Sequence, residues 1–466
     1  MQSAASEGAR IRFHRTINIL SHIINRFMPR YARFLPLLVI LLVGFSTSLM
    51  LQGCGGGKGD GKPGADGKTV ITFWHFQSEP GQKKALMDRI KEFEDENPTI
   101  HVELQDLSWN DGKAKLMSAF NASAAPDMLE LGSDWVAQFA ASGKLADQLK
   151  LGGDSTGRFT ETILAPGKWN NGVYAWPWTS DTRVLFVNQG LLAQAGVDTT
   201  KPDATWDDVL NHAEMVQKLR ASDQGIYGFG ANGSDQHRLY KKILPFFWSN
   251  GGDVLNSQGV PVINSAENVA ALEMYLSLAR AGFTDSQKGL DQLFVSGKLG
   301  YWISGPWLVD RIAKDKPDLR YALRTLPKFA GKDAVSFAGG EYLAINGASA
   351  HQQEAKKLIA FLTSPKQALE FAKALPGGTT PADLSLAGDP FLQGPARKVF
   401  TDQLRSSRMT PMHPKWLEME KAIEDAVAEA LQGDKDAKAA LDQAQYGITL
   451  AKGGNDSSGT GEEAGQ

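Results

Sequence analysis

One cysteine, Cys54, occurs in 466 residues, so no intramolecular disulfide can form and no set of thiolates is available for structural zinc. No basic block is present and the formal net charge is -3, which argues against nucleic acid as a partner. No repeat of fixed period is visible. The eight histidines include no HExxH arrangement, and no Ser/His/Asp or metal-ligand motif stands out. No catalytic residue, metal or cofactor is therefore expected. What remains is a soluble, globular composition, 42% hydrophobic and 22% charged, in a chain too long for one ordinary domain. Two domains, or one large two-lobed unit, is the expectation.

The N-terminus reads as an address. Residues 35–50, LPLLVILLVGFSTSLM, follow Arg26, Arg30 and Arg33, are interrupted by Pro36, and are short for a membrane-spanning helix. A basic flank, an apolar centre and small residues before a cut is the layout of a secretory signal. The run enters Leu51-Gln52-Gly53-Cys54, which resembles a bacterial lipobox, where the cysteine is acylated and becomes the first mature residue. Residues 1–53 are expected to be a signal peptide, with Met28 as the true initiator because a signal starting there has normal proportions. Residues 54–68 are Gly-dominated and read as a lipid-anchored tether; residues 453–466, GGNDSSGTGEEAGQ, read as a disordered tail.

From Thr69 onward strand-like and helix-like segments alternate. Val70 to Trp74 is a β run, and Glu79 to Glu96 carries Leu86, Met87, Ile90 and Phe93 at helical spacing before Pro98. Ile100 to Leu104 and Asp127 to Leu131 are strands. A second series starts near Arg183 with the strand Val184–Val187. Thr205 is placed as the N-cap of a helix with Asp208 in its first turn, and Ser364-Pro365 starts another. Residues 333–346 return to strand character, and residues 395–450 read as helices only. This β-α-β-α order argues for an α/β protein with mainly parallel sheets flanked by helices.

Eleven Trp residues are many for such a chain, and several sit at strand ends or in loops. Trp74 and Trp302 end predicted strands, and Trp135 follows one beside Asp134. Trp176 and Trp178 share a side if their Pro-interrupted segment is extended. In an open parallel sheet, ligands bind beyond the carboxyl ends of the strands. An indole face suits the C–H face of a sugar ring, and carboxylates suit its hydroxyl rim. Trp206 and Trp416, on predicted helices, read as ordinary core.

Several segments together resemble one family. These are Ile71-Thr72-Phe73-Trp74-His75, the run from Pro126 to Trp135, the run from Thr179 to Asn188, Trp302-Ile303-Ser304-Gly305-Pro306-Trp307, and the run from Ala338 to Ile345. In order and spacing they are similar to the extracellular solute-binding proteins of bacterial ABC sugar importers, the relatives of maltose-binding protein. The resemblance implies a two-lobed periplasmic-binding-protein fold of type II with a multi-strand hinge. It divides the chain into a first lobe of residues 69–182 plus 323–346 and a second of 183–322 plus 347–452. Crossings are expected near Asp181–Val184, Leu319–Leu326 and Ile345–Gly347.

Carried over by position, Trp74, His75, Asp134 and Trp135 line the first lobe's wall, and Trp176, Trp178 and Asp181 lie beside the first crossing. Trp248, Trp302 and Trp307 come from the second lobe. Gly340 and Glu341 form a loop under the cleft, where glycine lets backbone approach the ligand. Arg408 is added from Ser406-Ser407-Arg408-Met409. The implied partners are a small sugar, the permease subunits of an ABC transporter, and the membrane through a lipid anchor on Cys54. The protein is expected to be a monomer, exported, at the extracytoplasmic or periplasmic face. Asp134, Asp181 and Glu341 leave an exported glycosidase open, since such an enzyme needs two carboxylates about 5 Å apart or somewhat further. A polyol phosphate or acidic sugar paired with Arg183 or Arg408 is the other alternative.

Overall fold

The structure, a computed structural model, describes residues 67–453 except 110, 153–155, 234, 236 and 376–378. The signal peptide, Met28, Cys54 and most of the tether and tail lie outside the described residues.

Three strands and two helices open the first lobe: β1 (Thr69–His75), α1 (Pro80–Glu96), β2 (Ile100–Asp106), α2 (Gly112–Asn121) and β3 (Met128–Gly132). β1 lies between β2 and β3, parallel to both. Ile71 and Phe73 point to one face of β1 and are fully buried against Leu86, Ile90 and Phe93 of α1. Met87 is half exposed, so the apolar stripe is narrower than the sequence suggested. Pro80 occupies the first turn of α1, and Asn97-Pro98 ends it because Pro98 disfavours helix at the residue before it. After α3 (Val136–Ala141) the chain runs on as three nearly continuous strands, β4 (Ala175–Pro177), β5 (Thr179–Thr182) and β6 (Val184–Asn188).

The second lobe follows as α4 (Trp206–Lys218), β7 (Tyr227–Asn232), α5 (Tyr240–Ser249), α6 (Ala266–Arg280), β8 (Gly282–Asp285), α7 (Gln287–Val295), β9 (Leu299–Ser304), α8 (Trp307–Asp315) and β10 (Tyr321–Arg324). Thr205 caps α4 in a reciprocal box: its hydroxyl accepts from the Asp208 N–H, and Asp208 accepts from the Thr205 N–H at 2.9 Å. β11 (Ser336–Gly339) and β12 (Glu341–Ile345) then lead back, followed by α9 (Gln352–Leu362), α10 (Pro365–Lys373), β13 (Thr380–Pro381), α11 (Pro395–Leu404), β14 (Ser407–Arg408), α12 (Trp416–Gln432) and α13 (Ala437–Gly453).

The strand orders are β2-β1-β3-β12-β4 in the first sheet and β8-β7-β9-β6-β10 in the second. Each has four strands running one way and one reversed, β12 in the first and β6 in the second. A third, four-stranded sheet, β13-β5-β11-β14, lies between them in the chain path. β5 links β4 of the first sheet to β6 of the second, and β11 precedes β12.

Two segment boundaries differ from expectation. β10 pairs with β6 throughout and completes the edge of the second sheet, so the return crossing falls at residues 336–341 rather than at 319–326. The chain also stays with the first lobe after Gly347. Leu358, Ile359 and Leu362 of α9 and Phe371 of α10 share a core with Phe73 and Phe93, and Phe361 meets Phe93 edge-on at 5.4 Å. An apolar helix face is buried where a complementary face waits, here on α1. Passage to the second lobe comes only after β13, and α12 and α13 pack there.

Candidate functional site

The hinge strands bring backbone into close approach. A Cβ on Gly340 would lie 2.0 Å from the Thr179 carbonyl oxygen, so glycine there admits the neighbouring strand. That corrects its expected role of admitting ligand. Thr182 Oγ1 donates to the Phe337 carbonyl at 2.6 Å, and Ser336 Oγ donates to the Arg183 carbonyl at 2.7 Å, tying β5 to β11. Between these strands and the second lobe sits Arg183, almost fully buried. It bonds Asp181 at 2.5 Å and lies 4.8 Å from the Trp307 ring and 5.4 Å from that of Phe337. Asp181 therefore spends one oxygen on Arg183; its other, Oδ1, is buried with no partner among the described residues.

Glu341 opens β12 opposite Gly132, with Oε2 buried and unpartnered. Burial first, then the charges of Glu130 and Asp181, hold its carboxyl well above the usual range. Glu130 is fully buried on β3 and is also pushed up by burial, though the Phe76 N–H and the Gln77 amide each bond it at 2.9 Å.

Trp307 is the indole best placed at this junction. Asp291 accepts from Trp302 Nε1 at 2.7 Å, Ser304 Oγ at 3.0 Å and Trp307 Nε1 at 2.9 Å, so one carboxylate fixes both rings. Trp307 lies across Gly305, where an added Cβ would fall 1.9 Å from the ring. Trp302 is 1% exposed, whereas Trp307 is half-buried.

On the first lobe, Trp109 stacks on Phe76 at 4.1 Å, and both border Trp135, whose Nε1 is buried and unpartnered. Asp134 beside it is partly exposed. Its charge reaches Lys113 of the same lobe and His237, Tyr240 and Glu420 of the other. Glu420 bonds the His237 ring, and Glu424 accepts from the backbone N–H groups of His237, Arg238 and Tyr240. Burial, then Glu420, pushes Glu424 up to about 7.

Of the residues proposed from sequence, Trp74, Asp134, Asp181, Trp307, Gly340 and Glu341 keep partial exposure. The others are corrected. Trp176 and Trp178 do share a side, but that side is the first-lobe interior: Trp178 stacks on Phe371 at 4.6 Å and Trp176 on Phe159 at 6.3 Å. Trp302 belongs to the second-lobe core. The ring of Trp135 is walled in, leaving only its N–H unsatisfied. His75 is fully buried on the Phe73 face of β1, with Nε2 3.3 Å from Asp106, and burial pushes its pKa down to about 4. Trp248 is buried and bonds Asp253, which also pairs with Arg408 at 2.6 Å. Arg408 is thus spent on a structural pair that caps Trp248.

Trp109, Lys113, Tyr240, Lys241 and Glu420 were not anticipated. Trp109 follows β2 and obeys the strand-end rule used for Trp135. The others sit on or beside helices, where no local motif marks them.

The family model described as bacterial extracellular solute-binding protein matches residues 78–369. This chain belongs to that family. The solute-binding protein is 24% identical over 417 residues to the galactooligosaccharide-binding protein of Bacillus subtilis, spanning 87% of this chain and 94% of that one. It is 26% identical over 402 residues to the diacetylchitobiose binding protein DasA of Streptomyces coelicolor, spanning 82% and 90%. Among solved structures, an ABC substrate-binding protein from Listeria monocytogenes in complex with cycloalternan superposes with a TM-score of 0.73 at 22% identity, covering 83% of this chain and 99% of that one. Maltose-bound MalE3 of T. maritima gives 0.71 at 24% identity, covering 82% and 99%. The solute-binding protein thus has the two-lobed periplasmic-binding-protein fold. Its family is extracellular, so the protein is exported. Among the described residues no helix is long and apolar enough to cross a membrane.

Proposed function

We propose that this protein captures a short oligosaccharide between its lobes and delivers it to the permease subunits of an ABC importer, acting as a monomer held to the membrane by an acylated Cys54. The observation that carries the ligand class is the junction itself. Partly exposed Trp307 lies against Arg183, the partner of Asp181, and Asp181, Glu341 and Trp135 each keep a buried polar atom without a partner among the described residues. A molecule with apolar C–H faces and a rim of hydroxyls that both donate and accept meets all of these needs at once. Relatives named for galactooligosaccharides and diacetylchitobiose, and a structural neighbour bound to cycloalternan, support the same class.

The protein binds its ligand without turning it over. Asp181 is committed to its ion pair with Arg183, and the relatives named for galactooligosaccharides and diacetylchitobiose are binding proteins, which supports capture over turnover. Calorimetric titration against a panel of neutral di- to tetrasaccharides, with product analysis after long incubation, tests both statements. Saturable binding of an unchanged sugar is expected. Sustained hydrolysis, or no binding across the panel, removes the proposal.

A further inference from the structure

Arg183 is the one residue between β5 of the hinge sheet and β6 of the second-lobe sheet, so its backbone lies where bending must pass. Its carbonyl accepts from Ser336 Oγ at 2.7 Å, which ties that point to the start of β11. The side chain is 4% exposed, and its Nη1 donates to Asp181 Oδ2 at 2.5 Å and to the Thr182 carbonyl at 3.1 Å. Both acceptors belong to β5, so the guanidinium rides with the hinge strand. Its Nε is buried with no partner among the described residues.

An ion pair made through one terminal nitrogen could be made by lysine. Lysine cannot supply a flat cation that stacks on rings. Here the guanidinium lies over two of them, 4.8 Å from the Trp307 centroid and 5.4 Å from that of Phe337. Phe337 is buried on β11, the other hinge strand, whereas Trp307 opens α8 of the second lobe and is half-buried. The edge of Trp307 is pinned separately, since Asp291 of α7 accepts from its Nε1 at 2.9 Å. A ring held by its edge to the second lobe, and lying against a cation carried by β5, must turn or slide when β5 and β11 bend.

We infer that Arg183 is a positioning residue that couples the hinge to the orientation of Trp307. Bending of β5 moves the guanidinium, and the guanidinium moves the ring. By the same link, a ligand that holds the ring in one orientation holds the hinge at one angle, because a coupling free energy is reciprocal. Arg183 meets no ligand itself: Asp181, Thr182 and the two rings surround its charged end. The inference rests on the saccharide reading for what Trp307 meets, and on this chain's own residues for the link.

The test labels the protein with 5-fluorotryptophan and follows the fluorine resonance of Trp307, identified by its loss in Trp307→Phe. Thr182→Val removes the hydroxyl that bonds the Phe337 carbonyl at 2.6 Å and so loosens β5 from β11. In unliganded protein this change should shift the Trp307 resonance. The shift should vanish when Arg183→Lys is added, since lysine keeps a charge opposite Asp181 and loses the flat contact. No shift with Thr182→Val, or the same shift with and without Arg183→Lys, overturns the inference. Arg183→Lys should also weaken binding of the best neutral oligosaccharide about tenfold by calorimetry, and should cost nothing further in a Trp307→Phe background. Unchanged affinity, or an equal loss in both backgrounds, shows that Arg183 does not act through the ring and overturns the inference as well. Should Arg183→Lys not fold, Phe337→Leu takes its place under the same criteria, because it removes the second ring and leaves the ion pair. If wild-type protein binds no saccharide, the function proposed above falls, while the fluorine spectra, recorded without sugar, still decide the link.

Discussion

A methyl group on Gly305 would fall 1.9 Å from the Trp307 ring, so alanine there must push the indole away from Asp291. Gly305→Ala should therefore lower sugar affinity about tenfold, the worth of one well-placed hydrogen bond and some ring contact, and should change the quenching of tryptophan emission on titration. Unchanged affinity would remove Trp307 from the site. His75 offers a different residue-level test. Burial takes its pKa from the ordinary 6.5 to about 4. Between those values the unfolded chain takes up a proton that the folded protein refuses, so stability is lost as pH falls through that window, by roughly 3 kcal/mol. Glu424, raised to about 7 by burial, works the other way: its contribution is complete below the ordinary carboxylate range and is lost as pH rises toward 7. Urea melts from pH 4 to pH 7 should show His75→Gln flattening the acid limb only. What the sequence could tell at this scale was limited by a simple fact. Alternation along an extended segment tells that Trp176 and Trp178 share a side, but not that the shared side is roofed by Phe159 and Phe371. Lys113, Tyr240 and Glu420 carried no local signature at all, because they converge only through tertiary packing.

Strands and helices were far more legible than the site, since their signals are local. The segment beginning at Glu79 and the pair Ser364-Pro365 marked helix starts, Thr205 with Asp208 marked another, and each helix starts within a residue of that place. The allotment of α9 and α10 to a lobe was not legible: an amphipathic helix advertises an apolar face without naming its partner. Their packing yields a prediction. Phe371 of α10 stacks on Trp178, and both are at most 2% exposed. Phe371→Ala and Trp178→Ala should each cost about 3–5 kcal/mol in urea-induced unfolding, with the double variant costing less than the sum because the two share one contact. Sugar affinity, measured under native conditions, should change little in either. A binding defect without a stability defect in Trp178→Ala would return that residue to the ligand.

Taken whole, the molecule is two lobes tied by extended strands, β5 and β11, a geometry suited to hinge closure. Small-angle scattering should show a smaller radius of gyration on adding a binding oligosaccharide, and no change with a non-binding one. Identical curves would mean capture without closure. For the anchor, Cys54→Ser should move the protein from the membrane fraction to the soluble fraction of cells making the full chain; retention at the membrane would refute acylation at that residue.

The reversed strand of the first sheet has a consequence for how the protein leaves the cell. β12 joins β3 to β4, yet it is encoded after every strand of the second sheet. A nascent precursor therefore cannot zip up its leading half early: the piece that would lock it arrives late, after most of the other half has been made. Until then the leading sheet lacks the strand that joins β3 to β4, and an unfinished sheet is easier for a narrow secretion pore to thread than a completed one.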